Sequence, residues 1–345
     1  MIKQTYKTAT TAAALILFAS VASRAADQQL NMASWGGIFK EATQKNIADP
    51  FTKATGIPVS IADVGGGWAA KIEAQKAAGH LQWDIIDSID AGSAAYLAAQ
   101  GMLEPFPADL KAKLEAASIS GTVSDYMIEE GSTGVVIVCR KEVKCPSTSA
   151  GFFDGKAFPG ARAIVNEPNQ VLPFAALAGG QPHDKLFPVD LDKAFATLNK
   201  IKDSVRVWPT SGDQQQQVLA SGEVDMAIMW NGRAYDLTQK GTPLTFVWDG
   251  ALLDPGGLVV IKGAPDKDAA FKYVEFYATH PQAQADWAKV LPYGMASKEV
   301  ASLLPRQIAD ALPSSHDVTR IDPNWFAQNE KEISKRWQEF LAGAK

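Results

Sequence analysis

The chain has 345 residues, 46% of them hydrophobic and 21% charged, with a formal net charge of −5. Its start, with Lys3 and Lys7 ahead of the apolar run 12–22 and then Ser23-Arg24-Ala25, follows the basic, apolar, small-residue order of a secretory signal cleaved after Ala25. Losing Lys3, Lys7 and Arg24 takes the charge from −5 to −8. Such a chain offers no basic field to nucleic acid or anionic lipid, and the run 12–22 falls short of the roughly twenty apolar residues of a membrane-spanning helix.

About 320 residues then remain, more than one core usually supports, so two lobes are expected. Strand and helix patterns alternate over 29–34, 39–51, 57–63, 68–78, 83–87 and 91–100, which predicts parallel strands covered by helices. Gly36-Gly37 and Gly65-Gly66-Gly67 break the first two junctions, where open α/β sheets carry their ligands. The continuous apolar run 134–139 predicts a fully buried strand leaving the first lobe. A second α/β unit follows from 140 to 256, with strands at 162–165, 224–229 and 245–248 and helices at 174–178, 190–200 and 213–221. The run 257–261 carries the chain back, the amphipathic segment 266–278 rejoins the first lobe, and the helical tail 325–341 packs on the second. The expected division is 26–134 plus 258–300 for one lobe and 135–257 plus 301–345 for the other, with two hinge crossings. Cys139 and Cys145 form either one local disulfide or two free thiols, and neither their spacing nor their neighbours suggest a metal site. No cysteine near the cleavage point invites a lipid anchor.

The stretch Met229-Trp230-Asn231-Gly232-Arg233 reads as a strand end that delivers a flat indole and a guanidinium into a cleft. An indole face accepts hydrocarbon or a cation, and a guanidinium grips a carboxylate through two parallel hydrogen bonds.

Together with Ala33-Ser34-Trp35, Gly222-Glu223-Val224-Asp225, Gly241-Thr242-Pro243 and Pro292-Tyr293-Gly294, this stretch resembles the periplasmic substrate-binding proteins of ABC importers, in the spermidine/putrescine-binding group. The resemblance implies a two-lobed α/β fold of type II, a periplasmic and monomeric receptor that needs no cofactor, and an inner-membrane permease as partner. It further implies that Trp35, Ser88, Trp230 and Tyr293 line the cleft. Ungapped matching puts Pro168 and Val171 where polyamine binders keep two carboxylates, with the neighbouring Glu167 as a stand-in set beside a proline, and Arg233 where they keep a small hydroxyl residue. A polyamine is disfavoured by that pattern, and a zwitterionic ω-amino acid such as 4-aminobutyrate fits it. The carboxylate expected to meet the amine is Asp254, with Asp90 as rival, although Asp90 also reads as a helix N-cap and Asp254-Pro255-Gly256 as turn chemistry. Trp68, Trp248, Tyr235 and Phe39 are undecided between cleft and core.

Two other classes were weighed. Gly65-x-Gly67-x-x-Ala70, with Asp84 or Asp87 downstream, loosely fits a dinucleotide fingerprint, but a turn whose amides cap the next helix explains it better, so an enzyme is not expected. Iron binding through tyrosines is opposed by their scatter, and His80, His183, His280 and His316 show no metal-ligand or hydrolase spacing.

Overall fold

A computed structural model describes residues 28–343; the signal segment and its cleavage point lie outside the described residues. The elements used below are β1 (Leu30–Ser34), β2 (Val59–Asp63), α1 (Trp68–Ala77), β3 (Ile85–Asp90), α2 (Ala91–Ala99), β4 (Met127–Arg140), β5 (Arg162–Ile164), α3 (Pro168–Ala178), β6 (Val205–Val207), α4 (Gly212–Ala220), β7 (Met226–Trp230), α5 (Asn231–Gln239), β8 (Leu244–Asp254), β9 (Gly256–Ile261), α6 (Lys267–Thr279), β10 (Thr319–Arg320) and α7 (Pro323–Ala342).

Strand order is β2-β1-β3-β9-β4-β7-β5-β6. β1 runs parallel to β2 and β3, and β5 runs parallel to β6 and β7, as alternating strand and helix patterns require. β4 is antiparallel to β9 at its start and to β7 and β8 farther on. Its residues Val135 to Cys139 are fully buried, which is why that stretch reads as one unbroken apolar run. β4 therefore passes from one half of the sheet to the other. The return passage is the β8–β9 junction around Pro255, held beside it by the pairing of Thr133 with Asp254.

The apolar residues divide accordingly. One group packs β1, β3 and β9 with α6, whose Tyr273, Val274 and Tyr277 are buried. The other packs β4, β7 and β8 with α3 and the C-terminal helix. Leu304 and Leu312 join the first group, so the segment just after residue 300 packs there and not with the second lobe as expected. Trp230 touches cores of both groups. Cys139 and Cys145 are joined in a disulfide with a Cα–Cα distance of 5.7 Å.

Helix α3 begins six residues earlier than its apolar pattern suggests, because Pro168 occupies the first turn, where a missing N–H costs nothing, and Pro173 sits inside. α7 is capped by Asp322, whose side chain accepts from the backbone amides of Asn324 and Trp325. It buries Phe326, Ile333, Trp337 and Phe340 in the second core. Trp337 packs edge-on against Trp208 at 5.4 Å and donates its indole N–H to Asn166 Oδ1 at 2.7 Å. Truncating a buried Trp removes its packing and leaves a cavity, typically about 3–5 kcal/mol. Trp337→Ala is expected to lower unfolding free energy by about that amount in urea titration; a loss under about 1 kcal/mol would mean that α7 does not anchor the second core.

Candidate functional site

One wall of the cleft is built at the ends of β1 and β3. Trp35 follows β1, and its indole N–H donates to the Ser88 carbonyl at 2.9 Å. Ser88 has φ +50°, a left-handed conformation uncommon outside glycine and a frequent mark of binding sites. Its hydroxyl lies where Gly131 and Gly256 leave room: a Cβ on either would come within 2.9 Å of Ser88 Oγ. Behind this wall Ser34, Asp87 and Glu130 are buried, each immediately preceding a cleft residue in sequence: Trp35, Ser88 and Gly131. Ser34 Oγ donates to Asp87 Oδ2 at 2.7 Å. Burial and the charge of Asp87 hold the Glu130 carboxyl well above the usual range.

The opposite wall comes from the starts of three helices. The Ser211 side chain caps α4 by accepting from the Gln214 amide, and residues 210–213 face the cavity. Trp230 ends β7 and leads into α5, which brings Arg233 into the cleft one turn later. Arg233 is only 4% exposed. Its Nη1 donates to Asp213 Oδ1 at 2.9 Å and its Nη2 to the Gly36 carbonyl, across the cleft, at 3.3 Å. Tyr293 lies against this turn so closely that a Cβ on Gly232 would fall 2.5 Å from its ring. Burial pushes the Tyr293 phenol up to about 12, with the Arg233 guanidinium pulling the other way.

These walls enclose a cavity of about 270 Å³ with a different charge at each end. At one end stands Arg233, paired with Asp213 beside the first turn of α4, with Asp63 also in the lining. At the other stand Asp90, Glu167 and Asp254. The Trp230 indole N–H donates to Gln170 Oε1 at 2.9 Å, and Gln170 Nε2 donates to Asp254 Oδ2 at 2.6 Å, so one amide links the aromatic wall to the acid end. Asn169 adds a second donor to Asp254 at 3.3 Å. Burial first, then the charge of Asp90, raises Asp254 to about 7 against these donors and Arg320. Burial and the charges of Asp90 and Asp254 raise Glu167 to about 8. Trp35 and Trp230 meet in a tilted edge contact, centroids 6.2 Å apart.

All seven residues singled out from sequence, Trp35, Ser88, Asp90, Trp230, Arg233, Asp254 and Tyr293, line this one cavity. Asp90 is the cap of α2, its Oδ1 accepting from the Ser93 amide at 2.8 Å, and it also faces the cavity. Phe39 is in the lining, whereas Trp248 stacks on His316 at 3.7 Å and Tyr235 is buried elsewhere. Trp68 packs edge-on beneath Trp35 at 5.8 Å. Positions 168 and 171 do not carry the cation end: Val171 is buried in the second core, and the cavity-facing residues of α3 are Glu167, Asn169 and Gln170. The loop 65–67 caps α1 with Gly67, and Lys71 Nζ fills it by donating to the carbonyls of Val64 and Gly66, both at 2.7 Å. Among the described residues no group of three or more His, Cys, Asp or Glu side chains is arranged to hold a metal ion.

Comparison with known proteins gives the geometry a context. Residues 46–312 match the family of bacterial extracellular solute-binding proteins. The chain is similar to the gamma-aminobutyric acid-binding protein of Pseudomonas aeruginosa, 29% identical over 335 residues and covering 94% of each chain. It is similar to a solved GABA receptor structure at 34% identity and a TM-score of 0.82, over 91% of this chain and 97% of that one. It also resembles the spermidine/putrescine-binding periplasmic protein of Salmonella typhimurium, 22% identical over 179 residues, 51% of each chain. The matched proteins are described as solute-binding proteins.

Crowding of the three acids makes the unliganded protein sensitive to pH. A carboxyl whose folded-state pKa is raised stabilises the fold only in its protonated form. That contribution is complete below the unfolded value, near 4, and is lost as pH climbs through about 7 for Asp254 and about 8 for Glu167. The melting temperature of the unliganded protein is therefore expected to fall between about pH 5 and 8.5, and Asp254→Asn with Glu167→Gln to flatten that slope. Parallel profiles for parent and double variant would contradict the placement of these acids.

Proposed function

The chain belongs to the bacterial extracellular solute-binding proteins, and on that footing we propose that it captures a zwitterionic ω-amino acid such as 4-aminobutyrate. The observation that carries this reading is the separation of charge within one small cavity: the nearly enclosed Arg233 at one end, with Asp213 as its carboxylate partner, and Asp90, Glu167 and Asp254 at the other. A carboxylate displaces the Gly36 carbonyl from Arg233 and takes the guanidinium donors not bound to Asp213, of the five that arginine carries. The ammonium group meets the acids, whose raised pKa values fall back once a cation compensates them. Between the poles, the methylenes lie along Trp35 and Trp230. The similarity to proteins described as binding gamma-aminobutyric acid supports the same ligand class.

The receptor works in the periplasm as a monomer, exported by its N-terminal signal, and delivers the solute to the permease of an ABC importer. Ligand favours closure because its two ends belong to opposite walls, so full contact is made only when the lobes meet. The acid end alone would also suit a polyamine. A second ammonium group would then face Arg233, and like charges brought together in a buried site are strongly unfavourable.

Removing one partner of a buried charge pair costs about 2–5 kcal/mol, at least about thirtyfold in affinity. Arg233→Ala is expected to weaken 4-aminobutyrate binding by at least that factor in calorimetry while the circular dichroism spectrum stays unchanged. Binding as tight as the parent's would refute the carboxylate assignment. The parent is expected to bind putrescine and spermidine at least about thirtyfold more weakly than 4-aminobutyrate. Equal or tighter polyamine binding would replace the proposed ligand with the runner-up.

A further inference from the structure

The acid end of the cleft is not its floor. A second cavity of about 600 Å³, more than twice the size of the first, lies beyond it and shares Asp90, Glu167, Asn169 and Asp254 with it. These four residues form a layer with one face toward each chamber. The far chamber lies between α1 and α2 on one side and α7 on the other. Its walls combine aromatic and aliphatic surface, from Trp68, Leu97 and Phe326, with polar groups toward the mouth, including Ser93 and Glu330. Tyr96, 46% exposed and one of few large hydrophobic side chains so placed among the described residues, stands at that mouth.

A primary ammonium group held at the acid layer would fill the first chamber and leave the second to solvent. The arrangement of the layer suits a different nitrogen better. A secondary ammonium keeps two N–H donors, enough for two of the three carboxylates, and its second carbon substituent has a path between them. Asn169 and Gln170 already occupy Asp254 Oδ2, so Asp254 offers its other oxygen, and Glu167 makes no side-chain hydrogen bond among the described residues. Resting on the ω-amino acid reading, we propose that the far chamber is a second subsite, and that the solute class is an ω-amino acid whose nitrogen carries a further substituent, apolar close to the nitrogen and tolerant of polar groups toward its end.

The measurement is calorimetric titration of the parent with 4-aminobutyrate and with 4-(butylamino)butyrate, which keeps both charges and adds four carbons on nitrogen. Burying two to four carbons against Trp68, Leu97 and Phe326 is expected to tighten binding by about tenfold or more. Equal or weaker binding of the butylated compound, with 4-aminobutyrate bound, overturns this inference alone. If neither compound binds, the ω-amino acid reading falls and takes the subsite with it. Ala327 lines only the far chamber and sits on the exposed side of α7. Ala327→Trp is therefore expected to cost the butylated compound at least about tenfold while leaving 4-aminobutyrate within about twofold. Equal loss for both, at an unchanged melting temperature, would count against a separate subsite.

Discussion

Two strand passages running side by side, β4 in one direction and the β8–β9 junction in the other, set the position of nearly everything in the cleft. Gly131 and Thr133 come from the first passage and Asp254, Pro255 and Gly256 from the second, and backbone pairing fixes their relative height. Because side chains alternate along a strand, a slip of one residue would turn Asp254 away from the cavity. Ser88 can point into the space between the passages only because Gly131 and Gly256 carry no side chain there. The binding chemistry is thus tied to the least deformable part of the connection between the halves.

On that frame the cleft stores electrostatic mismatch. Arg233 is nearly enclosed, with a largely exposed Asp213 and a neutral carbonyl as partners. Three acids face one another at the other end with amides, and no guanidinium or ammonium, directly bonded to Asp254. Charges held in such a state are costly until a partner of the right sign arrives at each pole. A zwitterion relieves both at once, while a simple anion or cation relieves one and leaves the other. On the proposed reading, selectivity for a doubly charged, net-neutral solute rests on this arrangement and not on a tight steric fit.

Much of the fold was legible because fully buried strands announce themselves: 134–139 and 257–261 are uninterrupted apolar runs, and α6 and α7 carry plain amphipathic patterns. The first turn of α3 was not legible, since two prolines mask a helix whose start needs no N–H donor. Glu167, one residue before a proline, stood only as a stand-in for the carboxylates that ungapped matching looks for at 168 and 171, and its place in the acid layer emerges from the fold. The acid layer is assembled from residues 90, 167 and 254, separated by more than seventy positions each, and no local pattern brings such groups together. The aromatic and guanidinium residues were easier to find because Trp230 and Arg233 lie one helical turn apart on a single segment. Trp248 shows the opposite hazard: aromatic type alone does not separate a cleft wall from a stack against His316.

The bond from Arg233 to the Gly36 carbonyl has a consequence for discrimination among solutes. It spans the two walls, so the protein supplies its own weak substitute for the ligand's acidic end. An incoming group must outcompete a neutral backbone oxygen that is already in place and has paid no entropy of association. An uncharged amide or ester oxygen is no better an acceptor than the one it would displace and gains nothing by the exchange. A carboxylate forms hydrogen bonds roughly twice as strong and gains at once. On the proposed reading the internal carbonyl acts as a reference competitor, setting a threshold of acceptor strength below which amidated or esterified look-alikes are left in solution.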